Sequence, residues 1–329
     1  MNTYIDTSWI EFNESDYIVG NTLNDVYLEL DSDGYRVLKD LYQSKRNYTI
    51  SEIQEIYSDI EIEEFVKQMI DCNLLSYIDT PEKKTIVIDK APPKNEKIIK
   101  IIYLLSLIFF IFNIFYLFKY WNRIFIIDFQ KNNPLFLFVI MFVFGFIFNF
   151  LHELGHFYAA KLTKIDSKIK ISQRFIFFLT FECDMSSIWL VENKRRIFPI
   201  VAGILTDNIL LTVLIGLTTV IESPILFLIL FIQYTKNLYH LLIPFKTDLY
   251  FLLLFSLNKK SNKELILKTS HYLGYFFLSL IMFIYFIQLY NLYSYATSSS
   301  SVEWATLLAI VIILLPIIIF IKERRQKIA

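Results

Sequence analysis

Runs of apolar residues about 20 long recur through this chain, a length that matches the hydrocarbon core of a bilayer. Six such segments are expected, at 98–121, 134–161, 197–221, 224–257, 271–293 and 302–321. In lipid each backbone N–H and C=O must find its partner inside the chain, so these segments read as helices of a polytopic bundle. A hydrophobic content of 55 %, with 32 Phe and 21 Tyr, belongs to the same class. The fourth segment is too long for one straight span. It is expected to break at Pro244-Phe245-Lys246-Thr247-Asp248, because proline lacks an N–H and crowds the preceding turn.

The 329 residues carry zero formal net charge, but the charge is unevenly spread. Residues 1–80 hold 17 acidic and 5 basic side chains. Nucleic-acid binding needs a basic face, so that partner class is excluded for the head. Basic residues gather between segments two and three (Lys164, Lys168, Lys170, Arg174, Lys194, Arg195, Arg196), between four and five (Lys259, Lys260, Lys263, Lys268), and in the tail (Lys322, Arg324, Arg325, Lys327). The intervening loops are poorer, holding Arg123 and Lys131 in the first and none in the others. The positive-inside bias therefore predicts a multi-pass protein of the cell membrane with both termini in the cytosol. Met1-Asn2-Thr3-Tyr4-Ile5-Asp6 lacks the basic and apolar regions of a signal peptide, which agrees. Cys72 and Cys183 are far apart in sequence and imply no disulfide framework.

Residues 1–80 read as a small α+β domain, 81–97 as a linker marked by Asp79-Thr80-Pro81-Glu82 and Ala91-Pro92-Pro93-Lys94, and 98–329 as the membrane domain. Strand-like runs lie at 8–12, 17–19 and 26–30. Asp31-Ser32-Asp33 can cap a helix over 34–42, and Thr49-Ile50-Ser51-Glu52 opens a second with cap chemistry. Ile62, Phe65, Val66 and Met69 give a third helix over 61–70, and 73–78 returns as a strand. Strands, three helices and a last strand make a winged-helix pattern. The fold class expected is thus mainly α, a membrane bundle of about six helices with a winged-helix-like cytosolic head.

Within the second apolar segment stands His152-Glu153-Leu154-Gly155-His156, an H-E-x-x-H sequence. Positions i and i+4 share a helix face, so the two imidazoles can bind one Zn²⁺, and Glu153 sits where it can take a proton from a bound water. The chain has 4 histidines, and two occupy this motif at bilayer depth, where polar groups are retained for function. Depth brings other residues to the same level. His152 lies about 13 Å from the cytosolic end of its helix, Asp248 about 15 Å, and Asp207 about 16 Å, at 1.5 Å per residue.

A hydrolytic zinc keeps three protein ligands and one open position. No histidine follows on the same helix in Phe157-Tyr158-Ala159-Ala160-Lys161-Leu162. Asp248 is the preferred third ligand, since irregular backbone at membrane depth is tolerated where it lines a site. Glu182, Asp207 and His240 stand behind it. Asn149, one turn before His152, faces an oxyanion, a backbone group or a neighbouring helix. Asp207 and Asn208 are candidates to orient a ligand histidine from behind. The strand-like Phe175–Phe181 reads either as an edge that holds substrate extended or as an amphipathic element at the bilayer surface.

Two resemblances follow from these motifs. The head, with Tyr27-Leu28-Glu29-Leu30-Asp31-Ser32-Asp33-Gly34 leading into its first helix, resembles the precursor-recognition domains of modified-peptide biosynthesis. That resemblance implies a groove between a strand edge and the third helix, where a leader peptide adds as a strand. The H-E-x-x-H helix, followed by an aspartate after a proline-broken segment, resembles the site-2-protease class of intramembrane zinc metallopeptidases. Taken together, the chain resembles the peptide zinc metalloproteases of bacterial modified-peptide pathways. By this resemblance His152, His156 and Asp248 hold one Zn²⁺ and Glu153 is the general base. The sequence departs from that class in two places: Asn237 lies a turn or more early, and Leu249 rather than glycine follows Asp248. A non-catalytic export or immunity component, and a regulatory protease acting on a membrane-anchored regulator, remain the alternatives.

Overall fold

The computed structural model describes residues 3–13, 16–21, 23–24, 26–44, 46–80, 96–125, 134–174, 178–257 and 263–298. The chain divides into two compact units, the first comprising Met1–Lys94, Ala160–Lys168 and Asp184–Arg196 and the second the remainder.

In the first unit the chain opens with β1 (Tyr4–Asp6), β2 (Ile10–Asn13), β3 (Ile18–Asn21) and β4 (Val26–Glu29). Three helices follow, α1 (Ser32–Gln43), α2 (Ile50–Ile56) and α3 (Ile62–Asp71), and then β5 (Ser76–Ile78). Strands β2, β3 and β4 form an antiparallel meander, with Ile10 opposite Asn21 and Ile18 opposite Glu29. The short β1 pairs with β5, Tyr4 opposite Ile78. Sequence pattern places the first strand at 8–12. The structure instead has β1 ahead of it and β2 shifted toward Asn13, because β1 is defined by its distant partner and not by any local alternation.

The helix starts follow local chemistry. Asp31 Oδ1 accepts the Gly34 N–H at 2.7 Å, capping α1. Thr49 and Glu52 close a reciprocal capping box on α2. Glu61 makes no side-chain cap for α3. There Gln54 substitutes, accepting from the Ile62 N–H at 3.1 Å while donating to the Ile60 carbonyl at 3.0 Å. The apolar faces meet in one core of Ile5, Ile10, Val19, Val37, Leu38, Ile53, Ile62, Val66 and Leu74. Truncating one of these isoleucines or leucines to alanine removes about 2–5 kcal/mol.

A 3₁₀ helix, Ser186–Leu190, belongs to this unit and packs on the meander. A Cβ on Gly20 would lie 2.9 Å from Leu190 Cδ2, so glycine permits the approach. Asn13 Nδ2 donates to the carbonyls of Trp189 (3.0 Å) and Val191 (3.1 Å). Arg196, 2 % exposed, pairs with Asp16 at 2.8 Å and donates to the same two carbonyls. Arg196 is therefore a buried, fully engaged charge and not a solvated loop residue.

In the second unit come α4 (Glu96–Phe125), α5 (Pro134–Leu162), β6 (Lys168–Arg174), β7 (Phe178–Asp184), α6 (Asn193–Val220), α7 (Pro224–Tyr239), α8 (Asp248–Ser256) and α9 (Lys263–Ser298). Among the described residues, four stretches are long and apolar enough to cross a membrane: Leu104–Ile124, Phe136–Leu162, Arg195–Val220 and Leu265–Gln288. The protein is mainly helical, with a small β region in its N-terminal part. Of the six expected spans, 302–321 and nearly all of the 81–97 linker lie outside the described residues. The fourth differs: α7 has 16 residues and ends before the turn at His240, so it falls short of a full crossing.

Helix α6 is the hub of this unit. Its apolar stretch is more deeply buried than those of the other three. Asn113 of α4 donates to the Asn208 carbonyl at 3.1 Å and accepts from Thr212 at 3.0 Å, and Tyr234 of α7 donates to the Asn113 carbonyl at 2.8 Å. Such bonds hold helices together where lipid gives no hydrophobic drive between them.

Candidate metal centre

His152 and His156 lie one turn apart on α5 and are both 4 % exposed. Their Nε2 atoms are 3.0 Å apart. Asp248 Oδ2 lies 3.0 Å from His152 Nε2 and 3.3 Å from His156 Nε2. Tetrahedral zinc with bonds of about 2.0–2.1 Å has ligand-to-ligand edges of about 3.3 Å, so this triangle is close to one face of such a site. The two imidazole planes cross at 86°, which lets the lone pairs of both Nε2 atoms meet at one point.

The other ring nitrogens decide what that point holds. His156 Nδ1 donates to the Pro199 carbonyl at 2.7 Å, and a carbonyl can only accept. His152 Nδ1 donates to Asp207 Oδ2 at 2.8 Å. Each imidazole thus spends its proton on Nδ1 and presents a bare Nε2. Asp248 Oδ2 is buried, and among the described residues no donor reaches it. Three lone pairs therefore converge. One extra proton satisfies a single pair of these atoms, whereas a cation satisfies all three.

Backbone breaks bring Asp248 to the histidines. Between α7 and α8 the chain makes a 3₁₀ turn, Ile243–Phe245, and a left-handed residue at Lys246 (φ 52°). The turn is closed by Thr247 Oγ1 donating to the His240 carbonyl at 2.8 Å. Asp248 then occupies the first turn of α8, where a carboxylate suits the helix dipole. Two glycines allow α5 and α6 to come together. A Cβ on Gly203 would lie 2.5 Å from His152 Cε1 and closer still to His156 Nε2, and one on Gly155 would lie 2.8 Å from the Ala202 carbonyl.

Asp207, fully buried, receives four donors. Its Oδ2 accepts from His152 Nδ1 and from His240 Nε2, each at 2.8 Å. Its Oδ1 accepts from Lys236 Nζ at 2.7 Å and Gln233 Nε2 at 3.1 Å. His152, Asp207 and His240 form a second set of ligand atoms close enough for an ion. Two features argue against one there. The His152 and His240 rings are stacked at 13°, so their in-plane lone pairs do not meet, and an ammonium already neutralises the carboxylate. The Asp207 cluster is a hydrogen-bonded support, and the His152–His156–Asp248 triangle is the better seat for a metal.

The remaining expectations separate. Glu153, half-buried, follows His152 on α5 and accepts the Cys183 N–H through Oε2 at 2.8 Å. Asn149 donates to Thr180 Oγ1 (2.7 Å) and to the Phe181 carbonyl (3.2 Å). Asp207 stands behind His152, but Asn208 does not. Asn208 donates to Ile204 and turns toward Asn113, as its neighbouring position on α6 dictates. Glu182, on β7, is not among the residues that could share an ion. Sequence reading passes over Lys236, Gln233 and Gly203. Gln233, Lys236 and His240 are spaced 3 and 4 apart on an apolar helix, and that shared face is the available signal.

Compared with family models, curated proteins and solved structures, the chain gives no match.

Proposed function

We propose that this protein is an intramembrane zinc metalloendopeptidase that hydrolyses a peptide bond in a precursor peptide, the scissile backbone reaching a site at bilayer depth. The reading rests on one observation, the meeting of two bare imidazole nitrogens and a carboxylate oxygen that no described residue donates to. His152, His156 and Asp248 would hold the ion. A zinc ion there supplies Lewis acidity, bringing the pKa of a water toward about 7 and polarising a carbonyl. Asp207 and the Pro199 carbonyl keep the two histidine rings oriented, with their protons on Nδ1. Glu153 takes the proton of the attacking water and returns it to the leaving amine, so no net proton is consumed at the carboxylate.

The head supplies capture in this reading. It is a winged-helix-like domain in which a leader peptide of a ribosomally made, modified peptide adds along the edge of β4. The edge is consistent with this, since β4 pairs only with β3 in its sheet among the described residues. In this reading both termini are cytosolic, so the head lies on the side where such a precursor is made.

The deciding experiment follows a precursor peptide by mass spectrometry with wild-type and Glu153→Gln protein, alongside elemental analysis of wild type and His152→Ala. One zinc per chain in the wild type, lost in His152→Ala, and a cleavage rate lowered about 10²–10⁴-fold in Glu153→Gln, are expected. Equal cleavage by the Glu153 variant removes that residue from the reaction.

A further inference from the structure

Strand β7 is fastened to α5 at two successive positions along one edge. Asn149 donates to the Phe181 carbonyl at 3.2 Å and, one turn on, Glu153 accepts the Cys183 N–H at 2.8 Å. Residues two apart on a strand present their backbone groups on the same edge, and residues four apart on a helix share a face. The two repeats nearly coincide, about 6.7 Å along a strand against about 6 Å along a helix, so a short run of each can pair in register. The Phe146 and Phe150 rings each lie 4.7 Å from the Phe181 ring and fill the space beside these bonds.

A glutamate side chain has three rotatable bonds, and α5 alone does not fix where its carboxylate points. One Oε2 bond to a backbone amide restricts that freedom and leaves the second oxygen, Oε1, as the one to take a proton. We infer that the Cys183 N–H is the positioning group for the Glu153 carboxylate, with Asn149 holding β7 at the distance this requires. The inference rests on the peptidase reading of Glu153. It assigns a role in that chemistry to strand β7, and it uses the amide of Cys183 and not its thiol.

The test uses the zinc-loaded full chain in detergent, with Cys183→Pro, which deletes the N–H, and Cys183→Ala, which retains it. With dye-quenched casein as probe, kcat of Cys183→Pro is expected to fall about tenfold or more below that of Cys183→Ala, with KM within about twofold and one zinc per chain in both. Equal kcat values in these two variants overturn the inference. A second measurement covers misfolding of the proline variant: amide exchange of β7 in wild type and Glu153→Ala. Exchange at Cys183 is expected to rise about tenfold or more in Glu153→Ala, and an unchanged rate overturns the inference. Exchange needs no substrate, so casein left intact by the wild type counts against the peptidase reading alone while the exchange rates still decide the clasp.

Discussion

His152 donates its Nδ1 proton to Asp207 Oδ2 at 2.8 Å, and this bond determines which nitrogen of the ring is left to face Asp248. Asp207→Asn keeps the size of the side chain but replaces the carboxylate that His152, His240 and Lys236 all share. Loss of such an orienting partner lowers metal affinity about 10–100-fold. Competition between the protein and a chromogenic chelator for zinc measures it. An unchanged affinity would mean that the ring is held by its stacking on His240 and by helix packing instead.

Gly203 matters through what it lacks. A Cβ at this position would overlap His156 Nε2 and His152 Cε1, and α6 cannot retreat without losing the Pro199 and Asp207 contacts to the same rings. Gly203→Ala is therefore expected to displace the imidazoles and reduce zinc per chain several-fold, although alanine is the better helix former by about 1 kcal/mol. Elemental analysis of the purified variant checks this. Full zinc occupancy with a raised melting point would show that the helices have room to part.

How much of this arrangement the sequence reveals depends on how local its cause is. The caps at Asp31 and Thr49 are readable because donor and acceptor lie within one turn. So is the pairing of His152 with His156, a matter of helix periodicity. Asp248 is readable at one remove, from its depth and the proline before it. Strand β1 is not, since three residues acquire their conformation from β5, some seventy positions away. The partners of His156 and Glu153 are a carbonyl and an amide, which every residue has, so no letter marks Pro199 or Cys183 for those roles. Lys236 and Gln233 belong to a helix read as a span, and the short length of α7 shows only once its end at Tyr239 is seen.

The capping box of α2 gives the head a pH response of fixed sign. The Thr49 N–H donates to Glu52 Oε2 at 2.8 Å, and this bond, with Arg46 at 3.0 Å, holds the Glu52 carboxyl below its ordinary range. A group whose folded pKa lies below its unfolded one stabilises the fold in full above the unfolded value, and that contribution disappears as pH falls through the folded value. Amide protection across residues 50–56 of the full chain, corrected for intrinsic exchange, is expected to decline on acidification in the wild type and to stay level in Glu52→Gln. Thr49→Ala removes the other half of the box, at a cost of about 1 kcal/mol of local stability at every pH. A wild type as insensitive as Glu52→Gln would show that the bond is not maintained in solution.

Lys236 and Asp207 form an ion pair at 2.7 Å in which the carboxylate is wholly buried and the ammonium also bonds the Phe148 carbonyl, one turn before His152. Removing one partner leaves an uncompensated buried charge, a loss of about 3–5 kcal/mol. Lys236→Met is thus expected to lower the melting temperature in detergent sharply. The pair contributes less than that figure suggests, because both charges have already lost their hydration. In the double variant Lys236→Met/Asp207→Asn no unpaired charge remains, so its loss should be clearly smaller than the sum of the two single losses. Strict additivity in this cycle would mean that the ammonium acts on the Phe148 carbonyl and not on Asp207, and that the support behind His152 is assembled without it.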